Sequence, residues 1–201
     1  MNVLDFNREY TFSKIFELNA EVDEILADFG YSFSQEKLAL PQYSGELKRL
    51  QDLRDRIEDV LPLVNLTTEL ARREILIAPV VVELVRQTRA KLRIEYPLKV
   101  SEQLQGILDY LLTTQINLLV IEAKRENLIN GFTQLAVELI ALDRWDRSEG
   151  SILFGAVTTG TIWEFGRLDR EKKQIQRGLE SYRVPEDIET LLRILLQILT
   201  S

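Results

Sequence analysis

Histidine and cysteine are both missing from the chain. With no thiol and no imidazole, disulfides, cysteine nucleophiles, thiolate zinc sites and serine–histidine triads are excluded. Hydrolytic chemistry is left to carboxylates, lysine, tyrosine and serine, or to a hard cation held by oxygen ligands. Magnesium and manganese need only the last. No apolar run is long enough to cross a bilayer, and the first five residues lack the basic and apolar regions of a secretory signal. A soluble, cytoplasmic protein is expected. Glycine-rich phosphate loops, internal repeats and low-complexity segments are absent as well.

What is present suffices for one domain with a substantial core: 201 residues, 45% of them hydrophobic. The net charge of −7 argues mildly against nonspecific affinity for nucleic acid. Its distribution is uneven. Residues 1–66 hold 13 acidic and 7 basic side chains, whereas the remainder holds 19 and 18. The acidity belongs to the N-terminal part.

In that part, Asn19 before Ala20–Gly30 reads as the cap of a short helix with acids in its first turn and glycine after its end. Tyr31–Leu40 reads as an extended arm or edge strand. Ser44 reads as the cap of a helix running to about Val60, with Leu47, Leu50, Leu53, Ile57 and Val60 on one stripe. Residues 1–66 are therefore expected to form an N-terminal helical appendage, either a cover for the core or a surface for a partner, a second copy of the chain or a targeting protein. Residues 67–201 are expected to form an α/β domain. There, Thr67 or Thr68 starts a helix from Glu69 to about Gln87, kinked near Ile75–Pro79 because proline removes a hydrogen bond and clashes with the preceding turn. Leu92, Ile94 and Tyr96 alternate with charged residues as in a half-buried strand. Gly106–Leu112 is a second strand. The third begins at Leu118, where four apolar residues in a row read as a strand buried on both faces. A helix over Asn130–Trp145 follows, then a hairpin of Ile152–Thr158 and Thr161–Phe165 around Gly160, and a last helix with Pro185 at its first position. The pattern predicts an α/β fold with a mixed central sheet flanked by helices.

Two acids interrupt these apolar strands: Asp109 in the second and Glu122 in the third. A short link joins the strands, so a hairpin brings the two carboxylates together. Close carboxylates repel, and one stays protonated unless a cation sits between them. Mg²⁺ or Mn²⁺ would relieve this. Lys124, two residues beyond Glu122, emerges on the same face and could orient or help deprotonate a water and offset charge on a phosphate. Glu69 is a further candidate ligand, direct or through water. Each has a plain structural counterpart: a partly buried Glu122–Lys124 ion pair, and an Asp109 that caps a neighbouring amide.

Asp109 followed by Glu122-Ala-Lys124 at the end of an apolar strand resembles the signature of the PD-(D/E)XK nucleases. The fuller set is Thr68-Glu69 with Arg72 and Pro79, Leu108-Asp109-Tyr110, Ile121–Lys124, Gly131–Gln134, and Thr158–Gly160 with Trp163 and Phe165. It is most similar to the nuclease domain of type I restriction-enzyme motor subunits, and to small cyanobacterial proteins built on the same core. The resemblance spans about 67–166. It implies a restriction-endonuclease-like fold in which the residues matching Asp109 and Glu122 bind Mg²⁺. The residue matching Lys124 then serves the attacking water, that matching Glu69 supports the metal site, and that matching Gln134 lines the cleft. Leu108 departs from the family's usual proline.

Two functions are compatible with this reading: a metal-dependent DNA nuclease, or a non-catalytic module that binds nucleic acid or protein on the same fold. Gln134 and Glu138, one turn apart, read equally well as a solvated helix face. Trp163 and Phe165 alternate with Glu164 and are expected in the core. The basic run Arg167, Arg170, Lys172, Lys173 and Arg177 is offset by Asp169 and Glu171 and is expected to be a solvated loop or strand.

Overall fold

Seven strands form one mixed sheet in the computed structural model, which describes residues 3–18, 20–115, 117–124, 126–145 and 150–200. Strands β2 (Lys91–Ser101), β3 (Leu104–Thr113) and β4 (Leu118–Ala123) make an antiparallel meander. β4 pairs in parallel with β5 (Ile152–Thr158), and the helix α5 (Leu128–Trp145) makes the crossover that a parallel pair requires. β5, β6 (Ile162–Asp169) and β7 (Gln174–Arg183) continue antiparallel, and β1 (Ser32–Glu36) closes that side in parallel with β7. The order across the sheet is β1-β7-β6-β5-β4-β3-β2.

Every residue of β4 is buried, as the unbroken apolar run requires. Its alternate side chains enter two separate cores. Leu119, Ile121 and Ala123 pack with α4 (Ala78–Thr88) and α6 (Ile188–Thr200). Leu118 and Val120 pack with α5 on the opposite face. Trp163 and Phe165 are buried in the first of these cores, as their alternation predicts. Among the described residues no helix is long and apolar enough to cross a membrane.

The helix expected from Glu69 is present, with Thr68 as its cap: the Thr68 hydroxyl accepts the Ala71 N–H at 3.1 Å. It runs as α3 (Glu69–Arg72), a π-helical turn (Arg73–Ile77) and α4. The widened turn lies just ahead of Pro79, whose missing N–H cannot bond back to Ile75, so the expected kink takes this form.

Several expectations for the first 66 residues are corrected. The segment is only in part helical: within Tyr31–Leu40, read as an extended arm or edge strand, Ser32–Glu36 does form the edge strand β1 beside β7. Phe12, Ile15, Ile25 and Leu26 are buried in the core under α5, and Leu53 and Ile57 in the core with α4 and α6. Helix α1 (Val22–Asp28) ends before Gly30, which has the expected left-handed φ of 86°. The proposed cap Asn19 lies outside the described residues. Helix α2 spans Leu50–Val60 and does not begin at Ser44. The carbonyls of Tyr43 and Gly45 are held by Arg193 Nη1 at 2.8 and 3.2 Å, and the left-handed backbone of Arg49 keeps the helix from starting before Leu50. Likewise α6 begins at Ile188, with Pro185 in the turn before it. The basic run at 167–177 is strand: it forms β6, a turn and β7, with Arg177 paired to Glu164 and Arg170 to Asp143.

Candidate active site: an acidic cleft beside Lys124

Strands β3 and β4 pair through Tyr110–Ile121, which places Asp109 beside the end of β4. Asp109 Oδ2 accepts the Ala123 N–H at 2.8 Å, so the aspartate fastens the two strands where β4 leaves the sheet. Glu122 points to the same side and is 2% exposed. The Lys124 N–H donates to the Thr158 carbonyl at 2.8 Å, anchoring the backbone to the end of β5. From there the Lys124 ammonium reaches Glu122 Oε1 at 2.6 Å and donates to Gln134 Oε1 at 2.8 Å. Gln134 Nε2 in turn donates to Glu138 Oε1 at 2.9 Å. The side chain of Lys124 lies along α5 because residue 131 is glycine. A Cβ there would stand 2.7 Å from Lys124 Cγ and 2.7 Å from Val157 Cγ2.

Glu69, Asp109, Glu122, Lys124 and Gln134 thus line one cleft of about 410 Å³, with Thr11, Ser13, Glu95 and Ile107 at its rim. Both plain counterparts are also realised: Glu122 and Lys124 form an ion pair, and Asp109 does cap an amide. Gln134 and Glu138 are not a solvated face, being 3% and 0% exposed. From Gly131 to Leu142 every position of α5 is buried, so nothing on that stretch of helix faces water.

Two residues of the site were not singled out from the sequence. Glu138 is one, and its only sequence signal is its spacing of four from Gln134 in a helix apolar on all sides. The other is Arg73, on the π-helical turn. Its Nη1 lies 3.2 Å from Glu95 Oε1 and 3.6 Å from Asp109 Oδ1, and its Nε donates to the Tyr110 hydroxyl at 3.3 Å. Between the Ile94–Tyr110 and Tyr96–Leu108 pairs, Glu95 stands opposite Asp109, with a left-handed φ of 50°. Arg73 bridges the two.

Electrostatically the cleft holds more negative charge than its surroundings tolerate. Burial and the nearby Asp109 push Glu122 up to about 8, despite Lys124. Burial and then Glu122 hold Glu138 well above the carboxylate range. Burial raises Asp109 as well, against the Ala123 amide and Arg73, and burial with Asp109 raises Glu69. Burial works against the Lys124 ammonium, but Glu122, Glu138 and Asp109 overcome it, so the charged form is favoured. Glu122 Oε2 and Glu138 Oε2 are both buried with no donor. A proton shared between them, or added positive charge, is what the site calls for.

Among the described residues no group of three or more acids converges as a ready ligand set. Asp109 and Glu122 supply two hard oxygen donors beside open cleft. That set fits a small dication such as Mg²⁺, which keeps several waters and takes only one or two carboxylates from the protein. No protein-family model matches the chain, and a search of curated proteins finds no match.

Proposed function

We propose that the protein is a Mg²⁺- or Mn²⁺-dependent nuclease with a restriction-endonuclease-like core, hydrolysing phosphodiester bonds of DNA. The observation that carries this reading is the convergence of Asp109, Glu122 and Lys124 in one cleft, with buried carboxylates whose charge lacks sufficient compensation. Asp109 and Glu122 would hold the metal, with Glu69 in reach through water. Once bound, it would supply a polarised water and offset charge on the phosphate.

The chain's own residues do the rest. Lys124 is held in place by Glu122 and Gln134, and its raised pKa keeps it an ammonium at neutral pH. It therefore acts as a donor and a positive charge, orienting the attacking water and stabilising the phosphorane-like transition state, rather than as the base. Gln134 fixes the Lys124 rotamer, and Glu138 fixes Gln134. Arg73 adds positive charge behind Asp109, which it meets at 3.6 Å.

The test is cleavage of plasmid and single-stranded DNA at low salt with millimolar Mg²⁺ or Mn²⁺. Weak cleavage is expected, because an acidic protein gains little from neutralising phosphates. Asp109→Ala should lose metal binding and cleavage together. Lys124→Ala should keep metal binding by calorimetry and lose cleavage. Cleavage persisting in both variants would indicate a contaminant. A wild type that neither cleaves nor binds metal would favour the second reading, a non-catalytic module in which the Glu122–Lys124 pair is purely structural.

A further inference from the structure

A second cleft, of about 570 Å³, lies on the other face of the sheet among α2, α4 and α6. Lys48, Arg49, Arg86 and Arg89 line it, together with Tyr43 and Gln87. All four cations are exposed, and among the described residues none of them has a side-chain hydrogen bond or ion pair. The two acids in its wall are Glu46, which is exposed, and Glu83, which is buried with its Oε1 accepting from Gln87 Nε2 at 2.9 Å. The cleft is therefore locally positive in a chain of net charge −7.

Helix capping does not explain this cluster. Arg86 and Arg89 at the end of α4 complement the negative end of its dipole, but Arg49 precedes the first turn of α2, where a cation is disfavoured. Arg49 and Arg89 also both hold left-handed backbones with φ of 59°, Arg89 as the residue that ends α4 and Arg49 ahead of α2, and the conformation costs a non-glycine residue energy. The frame is rigid: Gln87 Nε2 bridges to the Lys48 carbonyl at 3.1 Å, and Arg193 holds the carbonyls of Tyr43 and Gly45. Two strained arginines are thus aimed from separate helices into one preformed concavity.

We infer that this cleft binds an oligophosphate anion, the di- or triphosphate of a nucleotide or the free ion, through Arg49, Arg86, Arg89 and Lys48. Guanidinium groups match phosphate oxygens in pairs, and the volume falls within that of small-ligand sites. The site is separate from the acidic cleft. The helix running from Glu69 to Thr88 spans about 30 Å at 1.5 Å per residue, with one cleft at each end.

The experiment is calorimetric titration of the full chain with pyrophosphate, tripolyphosphate, ATP and duplex DNA in metal-free, low-salt buffer. Binding is expected with Kd on the order of 10–100 μM. Arg49→Gly combined with Arg89→Gly should weaken it at least tenfold while leaving the melting temperature unchanged or higher, since glycine adopts φ near 59° without strain. Lys124→Ala should bind as the wild type does. Tighter binding of ATP than of tripolyphosphate would identify a nucleotide as the source, and equal binding the free ion. The inference fails if the wild type shows no binding at about 1 mM ligand, or if the double glycine variant binds equally well. It fails too if only duplex DNA binds, which would make the cleft a nucleic-acid face. None of these results bears on metal binding or cleavage at the acidic cleft.

Discussion

Glu138 lies at the far end of a relay that starts at the Lys124 ammonium and passes through the Gln134 amide. Its burial next to Glu122 gives the protein a definite response to pH. Glu122 titrates at about 8 in the fold against an ordinary 4.5, so folding takes up a proton across that range. Stability is then fully present below about pH 4.5 and falls as pH rises through 8. Glu138, Asp109 and Glu69 shift in the same direction. Glu102 and Asp169 shift downward, and they act only at lower pH. The melting temperature in metal-free buffer should therefore decline between about pH 5 and pH 8.5, and Glu138→Gln should flatten the decline. A rising or level profile in the wild type would contradict the buried-carboxyl account. Gly131→Ala gives a second residue-level prediction. Its methyl group would displace Lys124, so cleavage should fall at least about tenfold with metal binding retained. Asp109, Glu122 and Lys124 were legible in the sequence because charges in apolar strands stand out. Glu138 was not, because a Gln and a Glu one turn apart on a helix look the same whether water or a core lies beyond them.

At the scale of elements, the π-helical turn at Arg73–Ile77 sets how α3 faces the cleft. It rotates Glu69 and Arg73 relative to α4, and Arg72 Nη1 fixes the result by donating to the Thr159 carbonyl at 3.2 Å. Inserting one alanine after exposed Glu74 would add a residue that the already widened turn does not absorb and turn α3 by about 100° relative to α4. Cleavage should drop on the order of 100-fold, with the far-ultraviolet circular dichroism spectrum preserved. Retained cleavage would show that Glu69 and Arg73 are dispensable. The interruption near Pro79 was readable from the sequence because proline acts locally. The start of α2 was not, and the basic run leading into β7 was legible only as a loop or a strand. Arg193, about 150 positions away, holds the carbonyls of Tyr43 and Gly45, and the charges along β7 are paired by neighbours that only the sheet brings near.

For the molecule as a whole, the N-terminal segment is part of the packing. Ten of its side chains are buried: Leu4, Phe12, Ile15, Ile25, Leu26, Phe29, Tyr31, Leu38, Leu53 and Ile57. Their loss would uncover the apolar side chains they pack against, Leu104, Leu108 and Leu111 of β3 and the buried face of α5 among them. A chain beginning at Leu66 should be insoluble or unfolded, and a cooperative thermal transition in that fragment would refute the argument.

The pairing of β1 with β7 also bears on how the chain is made. Ser32 lies opposite Gln174, so the earliest strand to leave the ribosome waits for the latest. At about 5–20 residues per second, the 142 residues from Phe33 through Gln174 take roughly 7–28 s to synthesise. Throughout that interval Ser32–Glu36 has no strand to join, and the sheet can close on that side only once β7 has been made. Contacts so distant in sequence also slow the search for the native state. The nascent protein is therefore a natural client for chaperones that shield unpaired strands, and its yield should depend on them more steeply than its final stability would suggest.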